Sequence, residues 1–221
     1  MAHSKLLSSE MTASIKKEFE KVFLQLQKFG LLLLSDSFLP SVSRLVAGDG
    51  LRGSWWAHES AHTIFAVNEM LEDHPDVLIT KLISQKVTFV HRELWGHIYS
   101  IGVAREDWQL KGLTAGAKLL LKTVDADGTL QTDKLDKKYG AKPAGAAREL
   151  EMRLLLHANQ IHTESGAHAK VLETWDTWAE RAGFRAKPKD PVAARRFLEQ
   201  RLAELETNSG RRGELPWPRT T

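Results

Sequence analysis

The sequence predicts a mostly helical α+β chain made of two similarly ordered halves, and three observations carry that expectation. Apolar residues recur at helical spacing along much of its length. One pair of β-branched and aromatic runs reads as a hairpin, and a second pair of strands follows late in the chain. The order of elements in the first half returns in the second.

The first helix is expected over 12–29, where Ile15, Phe19, Val22, Phe23, Leu26 and Phe29 share one face and Gly30 follows as a stop. Leu31 to Leu34 reads as a short buried strand. Asp36 or Ser37 caps a short helix over 40–46, which ends in Ala47-Gly48-Asp49-Gly50. Ser54 reads as the cap of a further helix carrying Trp56, Ile64, Val67 and Leu71 inward and ending before Pro75. The runs 77–83 and 86–91 form the clearest β signal, a hairpin around Ser84-Gln85, whose turn holds neither Gly nor Asn. A helix over 92–103 closes this half.

In the second half Thr114 caps a helix with Leu119, Leu120, Leu121 and Val124 inward, and Asp125-Ala126-Asp127-Gly128 turns into the very short strand Thr129-Leu130. Thr132 caps a helix through Leu135 to Tyr139, stopped by Gly140. Pro143 opens the next helix, running to Leu155 with Ala147, Leu150 and Leu154 on one face. Two strands, 155–163 and 168–174, flank Glu164-Ser165-Gly166. A helix over 191–205 and a polar tail from 208 complete the chain.

Helix, small strand, short helix, longer helix, hairpin is the order of a winged helix, a fold in which the later helix of the pair enters the DNA major groove. The expected organisation is therefore tandem winged-helix modules: an N-terminal one over 1–108, a second over 112–182, and a C-terminal helical extension with a flexible tail over 183–221.

Composition narrows the function classes. Of 221 residues 42% are hydrophobic and 27% charged, and no run approaches the roughly 20 apolar residues that cross a bilayer, so no membrane partner is expected. The first residues lack the apolar core of a secretory signal, and cysteine is absent. Absence of cysteine excludes disulfides, thiolate zinc sites and cysteine nucleophiles, and with the missing signal it gives a cytoplasmic expectation. The net charge of +3 is mild; its distribution says more, because Lys137, Lys138, Lys142, Arg148 and Arg153 fall in one stretch and a second basic stretch runs from Arg185 to Arg212.

Double-stranded DNA is the expected partner. On the 143–155 helix Arg148 is placed to reach a base edge or phosphate, with Lys142 and Arg153 on phosphates; the hairpin supplies His162, His168 and Lys170 as wing residues. Glu149 and Glu151 on the same helix oppose phosphate. In the first half Arg52 and Trp55 join the candidate set, Trp55 as a stacking platform for an unpaired base. No cofactor is expected on this reading, and nothing in the sequence signals oligomeric state.

A second constellation is His58-Glu59-Ser60-Ala61-His62, which matches H-E-x-x-H. On a helix the two histidines share a face and hold Zn2+ while Glu59 serves as general base toward a metal-bound water. Ser60 stands where zincin helices place a bulky apolar residue, and no third ligand has a customary spacing. His157, His162 and His168 on the second hairpin form a further imidazole group. The enzyme alternative is thus a zinc-dependent hydrolase or a DNA glycosylase around His58, Glu59 and His62. A third alternative is a protein–protein interaction scaffold.

The blocks Gly53-Ser54-Trp55-Trp56-x-His58-x-x-x-His62 and Lys86-Val87-Thr88-Phe89-Val90-His91-Arg92-x-Leu94-Trp95, with His74-Pro75-Asp76-Val77-Leu78 between them, resemble a winged-helix-like bacterial protein family to which no activity is attached. The resemblance covers about 30–180. Its members usually carry Pro after the first histidine, so Glu59 is a departure that counts against the zincin reading. Tandem winged helices are also the architecture of some bacterial DNA glycosylases that excise alkylated bases, a likeness of fold that implies a role in DNA repair or regulation without assigning a catalytic residue.

Overall fold

A computed structural model describes residues 2–48, 53–140, 143–162, 168–185, 187–207 and 209–218, with backbone alone at 2–10, 161, 162 and 168. The chain is α+β and mostly helical, with two three-stranded sheets among the described residues. It divides into two compact units. The first comprises 1–79, 86–94 and 200–213; the second comprises 80–85, 95–199 and 214–221. This differs from the expected division at 108/112 and 182/183: the C-terminal extension is shared between the units.

In the first unit, α1 (Ala2–Phe29) is ten residues longer than its amphipathic run predicts. Then come β1 (Leu31–Leu33), α2 (Val42–Ala47), α3 (Ala61–Glu72), β2 (Val77–Lys81, its last two residues belonging to the second unit) and β3 (Val87–His91), with sheet order β1-β3-β2. Leu31, Leu32 and Leu33 pair antiparallel with Val90, Phe89 and Thr88. Val22, Leu26, Leu32, Val42, Val67, Leu71 and Phe89 make the core. Ser41, rather than Asp36 or Ser37, caps α2 by accepting the Arg44 N–H. Asp36 instead organises the preceding loop, accepting from the Phe38 and Leu39 N–H groups at 2.8 and 2.9 Å and from Lys86 Nζ at 2.6 Å.

The helix expected from Ser54 is split. Trp55–Ala57 is a single 3-10 turn, His58 is extended (ψ 148°), and α3 starts only at Ala61. The His58 Nδ1 accepts the Ser60 N–H at 3.1 Å and so stabilises the break. Trp56, expected inward, is 64% exposed, whereas Trp55 is 7% exposed and stacks on it at 4.0 Å. Between β2 and β3, Ser84 and Gln85 both take positive φ (50° and 59°); the turn that lacks Gly bends through two left-handed non-glycine residues.

The second unit contains α4 (Trp95–Ala104), α5 (Asp107–Leu110), α6 (Ala115–Asp127), β4 (Thr129–Gln131), α7 (Pro143–Met152), β5 (His157–His162), β6 (His168–Glu173) and α8 (Trp175–Arg181). The last helix, α9 (Pro191–Glu206), begins here and ends in the first unit. Sheet order is β4-β6-β5, the same arrangement as in the first unit. Both units thus run helix, strand, helical segment, helix, hairpin, with the first strand beside the last.

Leu120, Val124, Ala147, Leu150, Leu156 and Leu172 lie in the second unit's core. Thr114 caps α6 as expected, accepting the Ala117 N–H at 3.2 Å, while Leu119 lies 41% exposed rather than inward. The helix expected over 132–139 is two 3-10 turns, Thr132–Lys134 and Lys137–Tyr139, because Leu135 is extended between them and Asp136 starts a new cap on the Lys138 N–H. α7 stops at Met152 rather than Leu155. Leu154 is left-handed (φ 53°), the Leu155 N–H returns to the Leu150 carbonyl at 3.0 Å, and the buried Trp175 Nε1 donates to the Leu154 carbonyl at 2.7 Å.

Within the expected flexible tail, residues 214–218 pack into this unit. Ser84 N–H donates to the Glu214 carbonyl at 2.6 Å, Glu214 N–H returns to Ser84 Oγ at 3.1 Å, and buried Trp217 donates from Nε1 to Glu199 at 2.9 Å. Among the described residues no helix is long and apolar enough to cross a membrane.

Candidate nucleic-acid interface

In a winged helix the later helix of the pair meets the groove and the segment before it crosses the phosphate backbone. By element order α7 and the two 3-10 turns hold the corresponding places in the second unit, and exposed cations lie on them. Arg148 stands exposed on α7, and no ion pair engages it among the described residues; Lys134, Lys137 and Lys138 are exposed on the turns. Lys138 lies 4.8 Å above the Tyr139 ring and only loosely beside Asp136, at 3.8 Å.

A glycine holds this cationic segment in place. Any Cβ at Gly116 on α6 would overlap the Tyr139 carbonyl oxygen, so only glycine lets the helix and the turn approach so closely. Tyr139, 3% exposed, anchors the turn in the core below.

Arg148 lies at the junction of two clefts. One, of about 590 Å³, is lined by Leu82, Trp108, Lys111, Met152, Glu214 and Pro216 among others. The second, of about 310 Å³, lies against the hairpin and includes Lys81, Glu151 and Lys170.

Three of the sequence-predicted contacts are engaged or covered within the protein. Arg153 is not a phosphate contact: its Nη1 donates to the carbonyls of Trp108, Gln109 and Lys111 at 3.4, 3.1 and 2.7 Å, capping the end of α5, and Nη2 lies 3.6 Å from Glu149. Lys170 is not a free wing cation: its Nζ donates to both oxygens of Glu151 at 2.9 and 2.8 Å. Trp55 is buried and offers no open ring; the exposed platform is Trp56, with Phe65 6.1 Å away. Arg52 and Lys142 lie outside the described residues, as do the side chains of His162 and His168.

The H-E-x-x-H geometry is not formed. His58 precedes the start of α3, Glu59 lies exposed in the turn, and only His62 is on the helix, so the two imidazoles do not share a helix face. The donor set does not fit a zinc hydrolase, and among the described residues no three His, Asp or Glu side chains converge as a metal group. The hairpin histidines are also separated. His162 pairs with His168 at the far end of the ladder, five strand residues or about 17 Å from His157.

His157 has another role that the sequence did not reveal. Its Nδ1 lies 2.8 Å from Glu173 Oε1, and Arg181 donates to the same carboxylate from Nη2 at 2.6 Å and Nε at 3.1 Å. Burial raises the Glu173 carboxyl, but the hydrogen bonds and charges of His157 and Arg181 outweigh it and hold it below its ordinary value. Glu173 is 1% exposed, so this network ties the base of the hairpin to α8. Nearby, Tyr99 donates to Asp176 at 2.6 Å; that bond first, then burial and the Asp176 charge, push its hydroxyl up to about 12.

The helix at the same place in the first unit's element order has a different character. α3 contains no Lys or Arg and exposes His62, Phe65, Glu69 and Glu72. Lys81 was missed from sequence, and Glu151, read there only as opposing phosphate, was not seen as the partner of Lys170. The signal available for Glu151 was its place four residues after the inward Ala147, on the buried face of α7.

Comparison with protein-family models, curated proteins and solved structures finds no match for the chain.

Proposed function

We propose that the protein binds double-stranded DNA through its second unit, as a tandem winged-helix protein acting in DNA repair or regulation. The observation carrying this reading is the run of exposed cations Lys134, Lys137, Lys138 and Arg148 on the segment and helix that a winged helix presents to a duplex. The lysines supply phosphate contacts, which fix position and affinity; Arg148, on the helix itself, is the base-edge or central phosphate contact. The first unit takes no groove-reading role in this account, because α3 offers acids and aromatics where a duplex requires cations.

The test is fluorescence anisotropy with a labelled duplex and the Arg148→Glu variant. Reversing one interfacial charge is expected to weaken binding by about tenfold or more. Lys16→Glu, on an exposed position of α1 in the first unit, is the control and leaves affinity within about twofold. Equal loss in both variants would reduce the attraction to net charge, and no loss in Arg148→Glu would remove α7 from the interface.

The scaffold reading draws on one specific observation, the exposed Trp56 and Phe65 of the first unit, which are 64% and 44% exposed. It is compatible with duplex binding by the second unit and concerns a different surface.

A further inference from the structure

We infer that the pocket between α7 and the β5–β6 hairpin is a phosphate-binding site, built by Lys81, Lys170, Arg148 and Thr132 around the buried carboxylate of Glu151. It deepens the duplex-binding reading, on which the source of the phosphate rests, while the pocket's chemistry stands on its own residues.

The charge arrangement carries the inference. Glu151 is 6% exposed and already has a complete partner in Lys170, whose ammonium reaches both of its oxygens. A second ammonium, Lys81 Nζ, stands 3.5 Å from the same carboxylate, and Arg148 joins the lining. Two ammonium groups on one carboxylate, with the Arg148 guanidinium in the same lining, leave a surplus of two positive charges around the cleft. Lys81 and Lys170 are 24% and 32% exposed and Arg148 is exposed, so the surplus lies at the mouth of the cleft, where an oxyanion from solvent can reach and compensate it.

The shape and the donors agree. The short side chains of Ala144, Ala147 and Ala169, with Leu172 beside them in the lining, leave a volume of about 310 Å³. Thr132 Oγ1 accepts the Lys170 N–H at 2.8 Å, which leaves its own hydroxyl proton for an acceptor. Ammonium, guanidinium and hydroxyl donors suit an oxyanion with several acceptor oxygens. A phosphodiester carries one negative charge and a phosphomonoester between one and two, within the surplus available. Glu151 sets the strength of the site, because it takes up part of the lysine charge when the pocket is empty of anion.

Inorganic phosphate is titrated into the full chain at constant ionic strength with chloride as the exchanged ion, and the Lys170 amide resonance is followed, since that N–H is bonded to Thr132. The expected result is a saturable shift, weakened about tenfold in Lys81→Met and strengthened by a similar factor in Glu151→Gln. Ala144→Glu is a second variant, at an exposed helical position that tolerates the change; its carboxylate at the pocket is expected to abolish the shift. A wild-type shift that never saturates, or one indifferent to Lys81→Met and Ala144→Glu, would overturn the site.

Duplex DNA and glycerol phosphate are then the two competing probes. Displacement of bound phosphate by the duplex assigns the site to backbone phosphate. Displacement by glycerol phosphate, with no duplex binding under any condition, keeps the pocket and refutes the duplex reading. Duplex binding that Lys81→Met and Ala144→Glu leave unchanged, with no phosphate shift, refutes the pocket and keeps the duplex reading.

Discussion

Arg148 and Arg153 lie five residues apart in sequence, and replacing each by Met separates interface from scaffold. Arg153 holds the end of α5: its guanidinium donates to three carbonyls, and its own carbonyl accepts from the buried Gln109 Nε2 at 2.9 Å. A hydrogen bond from a charged donor contributes about 1.5–3 kcal/mol when well formed. Here one nitrogen is shared among three acceptors and the side chain is 27% exposed, so the expected loss is nearer 1–2 kcal/mol on the same scale. For a chain of this size that lowers Tm by about 2–8 °C. Arg148 makes no ion pair among the described residues, so its replacement moves stability by less than about 0.5 kcal/mol. Urea unfolding followed by circular dichroism gives the stabilities, and duplex anisotropy gives the affinities. Arg153→Met is expected to lose stability while its folded fraction retains duplex affinity; Arg148→Met is expected to do the reverse. An Arg153→Met protein with unchanged Tm and weakened duplex binding would refute the assignment of that side chain to the scaffold.

Gly116→Ala gains about 1 kcal/mol of helix propensity but forces a methyl into the Tyr139 backbone, an overpacking cost of about 1–3 kcal/mol. Net destabilisation together with weaker duplex binding is expected by urea unfolding and anisotropy; a more stable protein would show that the close approach is not required. Gly102→Ala drives a methyl into the ring of buried Trp175, and a loss of about 2 kcal/mol or more with altered near-ultraviolet dichroism is expected, an unchanged spectrum being the contrary result. Glu173 titrates below its ordinary 4.5 in the folded chain, so the stability it contributes is complete above that value and is lost as pH falls through the lower folded one. Glu173→Gln is therefore expected to flatten the acid limb of stability against pH, and an identical limb in both proteins would contradict the network. Tyr99 titrates higher folded than unfolded, so its contribution is complete below about 10 and declines as pH rises toward about 12; an ultraviolet absorbance titration with Tyr99→Phe as reference checks this.

The order of elements was legible because hydrophobic periodicity and turn residues act locally. Gly30 and Gly128 end helices, Thr114 caps α6, and the β-branched runs of 77–91 form the first predicted hairpin. What was hidden depends on partners distant in sequence. Nothing local distinguishes Arg148 from Arg153, yet the carbonyls of α5 claim only the second. Lys170 reads as a free wing cation until Glu151, nineteen residues earlier, is seen to hold its ammonium through both carboxylate oxygens. The choice of Trp55 over Trp56 for burial, and with it the late start of α3, turns on an extended His58 that the helical reading of H-E-x-x-H could not anticipate. The end of α7 likewise depends on a buried tryptophan bonded to a left-handed leucine.

Lys134, Lys137, Lys138 and Arg148 are proposed to act together on the duplex, and the salt dependence of binding tests that most directly. Four phosphate contacts imply a slope of log affinity against log salt of about −3.6, or roughly a hundredfold loss between about 50 and 200 mM salt. Changing Lys134, Lys137 and Lys138 to Gln is expected to bring that slope to about −1, leaving Arg148 as the remaining contact. Negligible duplex binding by the wild-type protein, or a slope that the triple substitution does not change, would contradict the account.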